Sequence, residues 1–329
     1  MTDHPDLNQF SAIAAAAFVD WHLPVNNPLD AVLFPGRKRV PPELHGFANA
    51  LAKIVVERER DHIRVALDND SGFMIDVGDL RYRVQVMREN ELYALRLSRK
   101  DVPELGKDVR LDPAIEGELT SEVLKKSGGL VIINGAPGSG KTWTAMSAII
   151  KRLEMHGGYC LTIEDPPEMA AEGWHGGSGY LEQMDASKIG YKKAVANSLR
   201  CFPAGERAMM LIGEIRHGEP AAEMLRIAIS GHLVFTTVHA KDHAAAFQRI
   251  VALAQDGGEP DAKELLASSL RLSINQQISN NRMSASMLKA NPSIHGNIKR
   301  GEYSQLAPES ERQTRESTIK REAATAYRM

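Results

Sequence analysis

The strongest chemistry in the chain is an eight-residue run, Gly135-Ala136-Pro137-Gly138-Ser139-Gly140-Lys141-Thr142. It fits the pattern GxxxxGK[ST], which by residue frequencies alone arises by chance in about one chain of this length in a hundred. Glycines let the backbone fold closely around phosphate oxygens. A helix that begins at the end of such a run aims its free N–H groups at the anion. Lys141 would then reach the β- and γ-phosphates of a nucleotide, and Thr142 would ligate Mg²⁺.

The flanks suit that chemistry. Leu130-Val131-Ile132-Ile133 runs into the loop as a buried-strand signal, and Trp143, Met146, Ile149, Ile150 and Leu153 follow at the spacing of one helix face. Three more apolar strands end in polar residues: Tyr159 to Ile163 ends in Glu164-Asp165-Pro166, Ala208 to Ile212 in Gly213-Glu214, and Leu233 to Val238 in His239. Ligands of open α/β sheets sit at the carboxyl ends of strands. If these strands lie side by side, Glu164, Glu214 and His239 converge near the γ-phosphate. One acid would polarise the attacking water and another would hold Mg²⁺, directly or through a water. Glu214 stands where a Walker B acid stands, although Met209-Met210-Leu211-Ile212 lacks the usual aspartate. Taken singly, each of the three also fits a solvated strand end or an ordinary structural histidine.

Short continuous strands alternating with helical stretches predict a parallel sheet covered on both faces, an α/β core over residues 104–279 with a linker at about 104–113. Residues 1–103 read differently. Phe47, Leu51, Ile54 and Val55 have helical spacing, and strand-like pieces follow at 63–67, 73–77, 80–86 and 92–97, broken by 68–72 and 88–91. That pattern predicts a small α+β domain with an antiparallel meander. Residues 280–329 hold nine Lys+Arg against five Asp+Glu and few large apolar residues. They are expected to form a polar, basic tail or helical extension.

Composition narrows the class. The chain has 329 residues, 43% hydrophobic and 25% charged, with a net charge of −2, which is globular rather than disordered. Without its basic tail it is acidic, and aromatics are 5%, so a nucleic-acid motor with stacking platforms is disfavoured. Cys160 and Cys201 are too few for a disulfide framework or a four-cysteine zinc site, and Cys160, in an apolar run, reads as a buried inert thiol. The longest apolar run, Ala12 to Val19, is eight residues, against about twenty for a membrane span. The N-terminus has no basic flank of a signal peptide.

Three further segments carry a resemblance. Thr162-Ile163-Glu164-Asp165-Pro166-Pro167-Glu168 is similar to the aspartate box of the hexameric ATPases of type II secretion, type IV secretion and type IV pili. Leu211-Ile212-Gly213-Glu214-Ile215-Arg216 resembles their Walker B segment. Ser230 to His239, with His232 and His239, resembles their histidine box. The match covers nearly the whole chain and is closest to the pilus-retraction (PilT-like) branch. Asp20-Trp21-His22-Leu23 is similar to a short element near the start of that branch, and Leu80 to Val84 and Leu95 to Leu97 sit where it has arginine-bearing strands.

The resemblance implies a RecA-like P-loop NTPase core with a smaller N-terminal PAS-like α+β domain, using ATP and Mg²⁺. It implies Glu164 as general base, Glu214 as the Mg²⁺-associated acid, and His232 and His239 as links between phosphate state and domain motion. Arg81, Arg83 and Arg96 would reach nucleotide held on a neighbouring subunit, where a guanidinium fork meets developing phosphate charge; alternating arginines also fit the solvent face of a strand. The implied assembly is a hexameric ring, cytoplasmic and peripheral to the inner membrane through a platform protein, powering a pilus or a secretion machine.

There are departures. Phe202-Pro203-Ala204 replaces an acidic turn, Ala196 stands where an arginine is expected, and His217 replaces an acid. Residues 293–300 match the retraction signature poorly, and the tetracysteine insert of assembly ATPases is absent. These departures motivate an alternative, a weakly hydrolysing, nucleotide-gated scaffold subunit of the same kind of machine.

Overall fold

The computed structural model describes residues 18–65, 72–78, 80–98, 101–203, 208–279 and 282–326. Most of the run at 12–19, most of the break at 68–72, and Ala204 lie outside the described residues. The chain divides into two compact units.

The smaller unit comprises Met1–Asp101 together with Glu164–Ala170 and Asp185–Ala194. Its strands are β1 (Asp20–Pro24), β2 (Val32–Phe34), β3 (Lys38–Arg39), β4 (Phe73–Val77), β5 (Leu80–Arg88) and β6 (Leu92–Ser98), and they form one sheet in the order β3-β2-β1-β6-β5-β4. Every described pairing in it is antiparallel. A long helix, α1 (His45–Val65), supplies Phe47, Leu51 and Val55 to a core shared with Trp21, Tyr82 and Leu95. The meander at 73–98 is as expected. The strand expected at 63–67 is not: residues 63–65 are the last turn of α1. Extending a helix already nucleated adds one hydrogen bond per residue, and this outweighs the β preference of an isoleucine and a valine.

The larger unit comprises Val102–Ile163, Ala171–Met184 and Val195–Met329. It opens with α2 (Pro113–Thr120) and α3 (Glu122–Ser127), then β7 (Gly129–Gly135) and α4 (Lys141–His156). In chain order there follow β8 (Gly158–Glu164), a hairpin of β9 (Gly173–His175) and β10 (Gly179–Asp185), short α5 (Ala186–Ile189), which falls in the smaller unit, α6 (Tyr191–Cys201), whose first turn does too, β11 (Met209–Glu214), α7 (Gly218–Ile229), β12 (Leu233–His239), α8 (His243–Asp256) and α9 (Ala262–Ser269). The chain continues through β13 (Leu270–Ser279), β14 (Arg282–Lys289), α10 (Pro292–Arg300) and α11 (Leu306–Ala326).

Eight strands form one sheet, ordered β14-β13-β7-β12-β11-β8-β10-β9. Its middle is parallel, and β7 is buried along its whole length, as a strand covered on both faces must be. The stretch expected as a polar, basic tail or helical extension contributes β14, paired antiparallel with β13 over eight residue pairs, before the helices α10 and α11. In this stretch Ser286 and Ser310 find partners in His243 and the Met287 carbonyl.

Candidate functional site

The order β7-β12-β11-β8 puts the four polar-ended strands side by side and parallel. His239 is level with Gly135, and Ile212 with Ile163. Gly135, His239 and Glu214 therefore share one edge of the sheet. Glu164 is buried at the tip of β8.

The phosphate loop leaves β7 at Gly135. A side chain here is forbidden, because an ideal Cβ would sit 2.2 Å from the Gln276 carbonyl oxygen of β13. Gly140, with φ +80°, is the N-cap of α4 and supplies no side-chain cap. The first-turn N–H groups thus face the loop interior, where an anion suits them. The Ser139 hydroxyl is buried with no hydrogen-bond partner among the described residues. A buried hydroxyl lacking a partner is costly, and a phosphate oxygen would satisfy it.

Lys141 is buried and curls back over the loop. Its Nζ donates to the Ala136 carbonyl at 2.9 Å and lies 3.0 Å from His239 Nδ1. An ammonium only donates, so Nδ1 must be the bare nitrogen and Nε2 carries the proton. That Nε2 lies 3.0 Å from Glu214 Oε1, and Glu214 Oε2 takes two hydrogen bonds from Arg216, at 2.9 and 2.6 Å.

The electrostatics agree with this tautomer. Burial lowers the Lys141 pKa, against the pull of Glu214. Burial also lowers His239; Glu214 opposes it, while Lys141, Arg216 and Arg249 add to it. For Glu214, burial alone would raise the pKa, but Arg216, His239 and Lys141 outweigh it and hold the carboxyl below its usual range.

Not every expected residue joins this edge. His232 precedes β12, at the opposite end from His239, roughly 20 Å away at about 3.3 Å per residue. Its Nδ1 accepts from the Ala208 N–H at 3.3 Å and its ring packs on Phe202. The resemblance sets both histidines in one motif, but the six strand residues from Leu233 to Val238 separate them along β12.

In the smaller unit, Tyr82 and Val84 point into the core, so Arg81 and Arg83 share the other face of β5. Arg96 of β6 stands directly opposite Arg83. Arg81 pairs with Asp76, Arg96 with Asp20, and Arg83 with Glu168 and the Asp165 carbonyl of the aspartate-box segment.

Two groups escaped the sequence reading. Gln276 of β13 is fully buried against the phosphate loop. Behind the loop, Asn134 donates to Ser273 Oγ and the Ile274 carbonyl, Asn275 donates to Asn134, and His243 sits 2.8 Å from Ser273 Oγ. A glutamine inside a strand carries no motif signal; only its register with Gly135 reveals it.

A strand, phosphate loop and helix, with an acid and a histidine on the neighbouring parallel strands, define a RecA-like P-loop NTPase, here with a smaller PAS-like α+β domain. The chain belongs to the family described as type II/IV secretion system protein, whose model matches residues 18–322. It is 27% identical over 317 residues to the type IV pilus retractation ATPase PilT of Pseudomonas aeruginosa, covering 92% of this chain and 87% of that protein. It is 33% identical over 180 residues to the type IV pilus assembly ATPase PilB of Thermus thermophilus, covering 54% of this chain but only 19% of PilB. Among solved structures, the pilus retraction motor PilT with bound ADP superposes with a TM-score of 0.69 at 22% identity, covering 96% and 92% of the two chains. The ATPase DotB of Legionella pneumophila superposes at 0.65 and 20% identity, covering 92% and 87%. These two likenesses bear on the fold.

Proposed function

We propose that this chain is a Mg²⁺-dependent motor ATPase of a type IV pilus, in a retraction-like role, or of a type IV secretion machine. The observation that carries the reading is the hydrogen-bonded line from Lys141 through His239 to Glu214 beside the phosphate loop, in a chain of this family. Gly135 to Thr142 bind the phosphates, with Lys141 leaving the Ala136 carbonyl for the β- and γ-oxygens. Thr142 and Glu214 offer the hard oxygen donors that Mg²⁺ takes, alongside phosphate and water. Bound Mg²⁺ would neutralise charge on the β- and γ-phosphates. Glu164 polarises the attacking water, and positioning and fixed charge supply most of the acceleration.

His239 bridges the cation that meets phosphate and the acid that holds the metal, so phosphate loss must alter its partners. His232, beyond the other end of β12, acts through Phe202 and Ala208. The chain works as a hexameric ring in which Arg81, Arg83 and Arg96 reach a neighbour's nucleotide. For Arg96, whose pair with Asp20 is the most exposed of the three, exchanging the carboxylate partner costs little. The ring sits on the cytoplasmic side of the inner membrane, held by a platform protein, with no direct contact to nucleic acid. No helix among the described residues is long and apolar enough to cross a membrane.

The test is ATP hydrolysis per chain, with and without Mg²⁺, across protein concentrations. Turnover that needs Mg²⁺ and rises steeply with concentration supports a ring with trans-acting arginines. Turnover per chain that stays constant while a sizing run shows dissociation to monomers would reject them.

A second reading, a nucleotide-gated scaffold that barely hydrolyses, is favoured by one observation: both Glu214 oxygens are already engaged, by His239 and Arg216. Tight ATP binding with near-zero turnover would select it.

A further inference from the structure

We infer that Gln276, on β13, is a positioning residue of the nucleotide site: it sets the direction of a phosphate-facing N–H in the loop. This rests on the nucleotide-binding reading above. The Gln276 side chain is fully buried. Its Nε2 donates to the Ser139 carbonyl, and its Oε1 accepts from Thr144 Oγ1 at 2.8 Å. The amide orientation is not free. A carbonyl only accepts, so the NH₂ must face Ser139, and the remaining oxygen must face the Thr144 hydroxyl.

The consequence follows from peptide geometry. The peptide unit joining Ser139 and Gly140 is planar and trans, so its C=O and N–H point in opposite directions. Drawing the Ser139 carbonyl into the protein turns the Gly140 N–H outward, to the concave side of the loop. A peptide flip would present a carbonyl oxygen to a phosphate, reversing attraction into repulsion. Gly140, at φ +80°, has no side chain to resist that flip. The Gln276 amide supplies the resistance. Thr144, one turn into α4, ties the same amide to the helix whose N–H groups complete the cradle. The register agrees: Gln276 pairs with Gly135, where the loop begins, while its side chain reaches Ser139, where it ends.

The test compares wild type with Gln276→Met, which keeps the length and loses both hydrogen bonds, and Gln276→Glu, which keeps the shape and loses the donor. Binding of fluorescent mant-ADP is measured from pH 5 to pH 8, with thermal melting as the check on folding. At pH 8 both variants are expected to bind about tenfold more weakly or worse, the effect of one hydrogen bond to a charged ligand. Gln276→Glu alone recovers toward wild type as pH falls, because its protonated acid donates to the Ser139 carbonyl again. In hydrolysis KM rises while kcat changes less than about threefold; a folding defect would instead lower kcat and leave KM. Wild-type affinity in both variants would overturn the role of Gln276 and leave the nucleotide site standing. Equal weakening of Gln276→Glu at all pH values would overturn the carbonyl-holding role. Absence of mant-ADP binding in wild type would overturn the nucleotide reading and this inference with it.

Discussion

Lys141 Nζ lies 3.0 Å from His239 Nδ1, across the pairing of β7 with β12. An ammonium and a protonated imidazole cannot share this contact, since both only donate. His239 must stay neutral, and burial, with Lys141, Arg216 and Arg249, lowers its pKa despite Glu214. The sign is then set. The contact holds above the folded pKa of His239 and fails as pH falls through it, below the ordinary imidazole value near 6.5. The acid limb of kcat/KM for ATP is therefore expected below pH 6.5 in wild type, and absent from His239→Gln. An unchanged limb in that variant would remove His239 from the cycle.

Glu164 and Lys141 should fail differently. Lys141→Ala removes the cation that meets the phosphates, so ATP binding and turnover both fall, turnover by at least about a hundredfold. Glu164→Gln keeps shape and burial but cannot take a proton from water, so turnover falls as far while mant-ATP still binds within about threefold of wild type. Turnover by Glu164→Gln equal to wild type would sink the base assignment.

Arg83 and Arg96 face each other on paired strands, an arrangement that repels unless acids intervene. Glu168 and Asp20 intervene here. The Arg96 side chain is 70% exposed, and pairs of that kind contribute roughly 0.2–1 kcal/mol. Arg96→Ala is thus expected to leave urea stability within about 1 kcal/mol. If Arg96 serves a neighbour's nucleotide, the same change lowers turnover at high protein concentration at least about tenfold. Loss of stability and activity in equal measure would make it a sheet residue only.

The phosphate loop, its strand and its helix were legible because close backbone approach and helix-terminal anion binding demand particular residues in order. The acid and histidine at strand ends were legible because apolar runs mark the strands and the sheet rule marks their tips. Strand β13 was not. Ser273, Asn275 and Gln276 are buried in it, where a hydropathy pattern expects aliphatics. Ser273 and Asn275 are each bonded to Asn134, and Gln276 to Ser139 and Thr144, so burial costs them little, but such satisfaction is a property of packing and leaves no trace in spacing. The helix reaching Val65 and the tail folding into β14 were hidden for a related reason: tertiary context overrode local preference.

That buried network makes the last prediction. His243 contacts Ser273 Oγ at 2.8 Å and Ser286 Oγ at 3.2 Å, and burial, against Asp242, pushes its pKa down to about 4. Unfolded, it titrates near 6.5. Between those values the unfolded chain binds a proton that the folded chain refuses, so stability declines as pH falls from 6.5 toward 4 and is insensitive to His243 above that window. The decline at pH 5 is about 2 kcal/mol. His243→Gln removes the titration while keeping a polar side chain beside both serines. Urea unfolding at pH 7 and pH 5 should show the variant losing less than wild type between the two, by about that amount. Equal losses would mean that His243 is not held neutral, and that the polar layer behind the phosphate loop admits a charge.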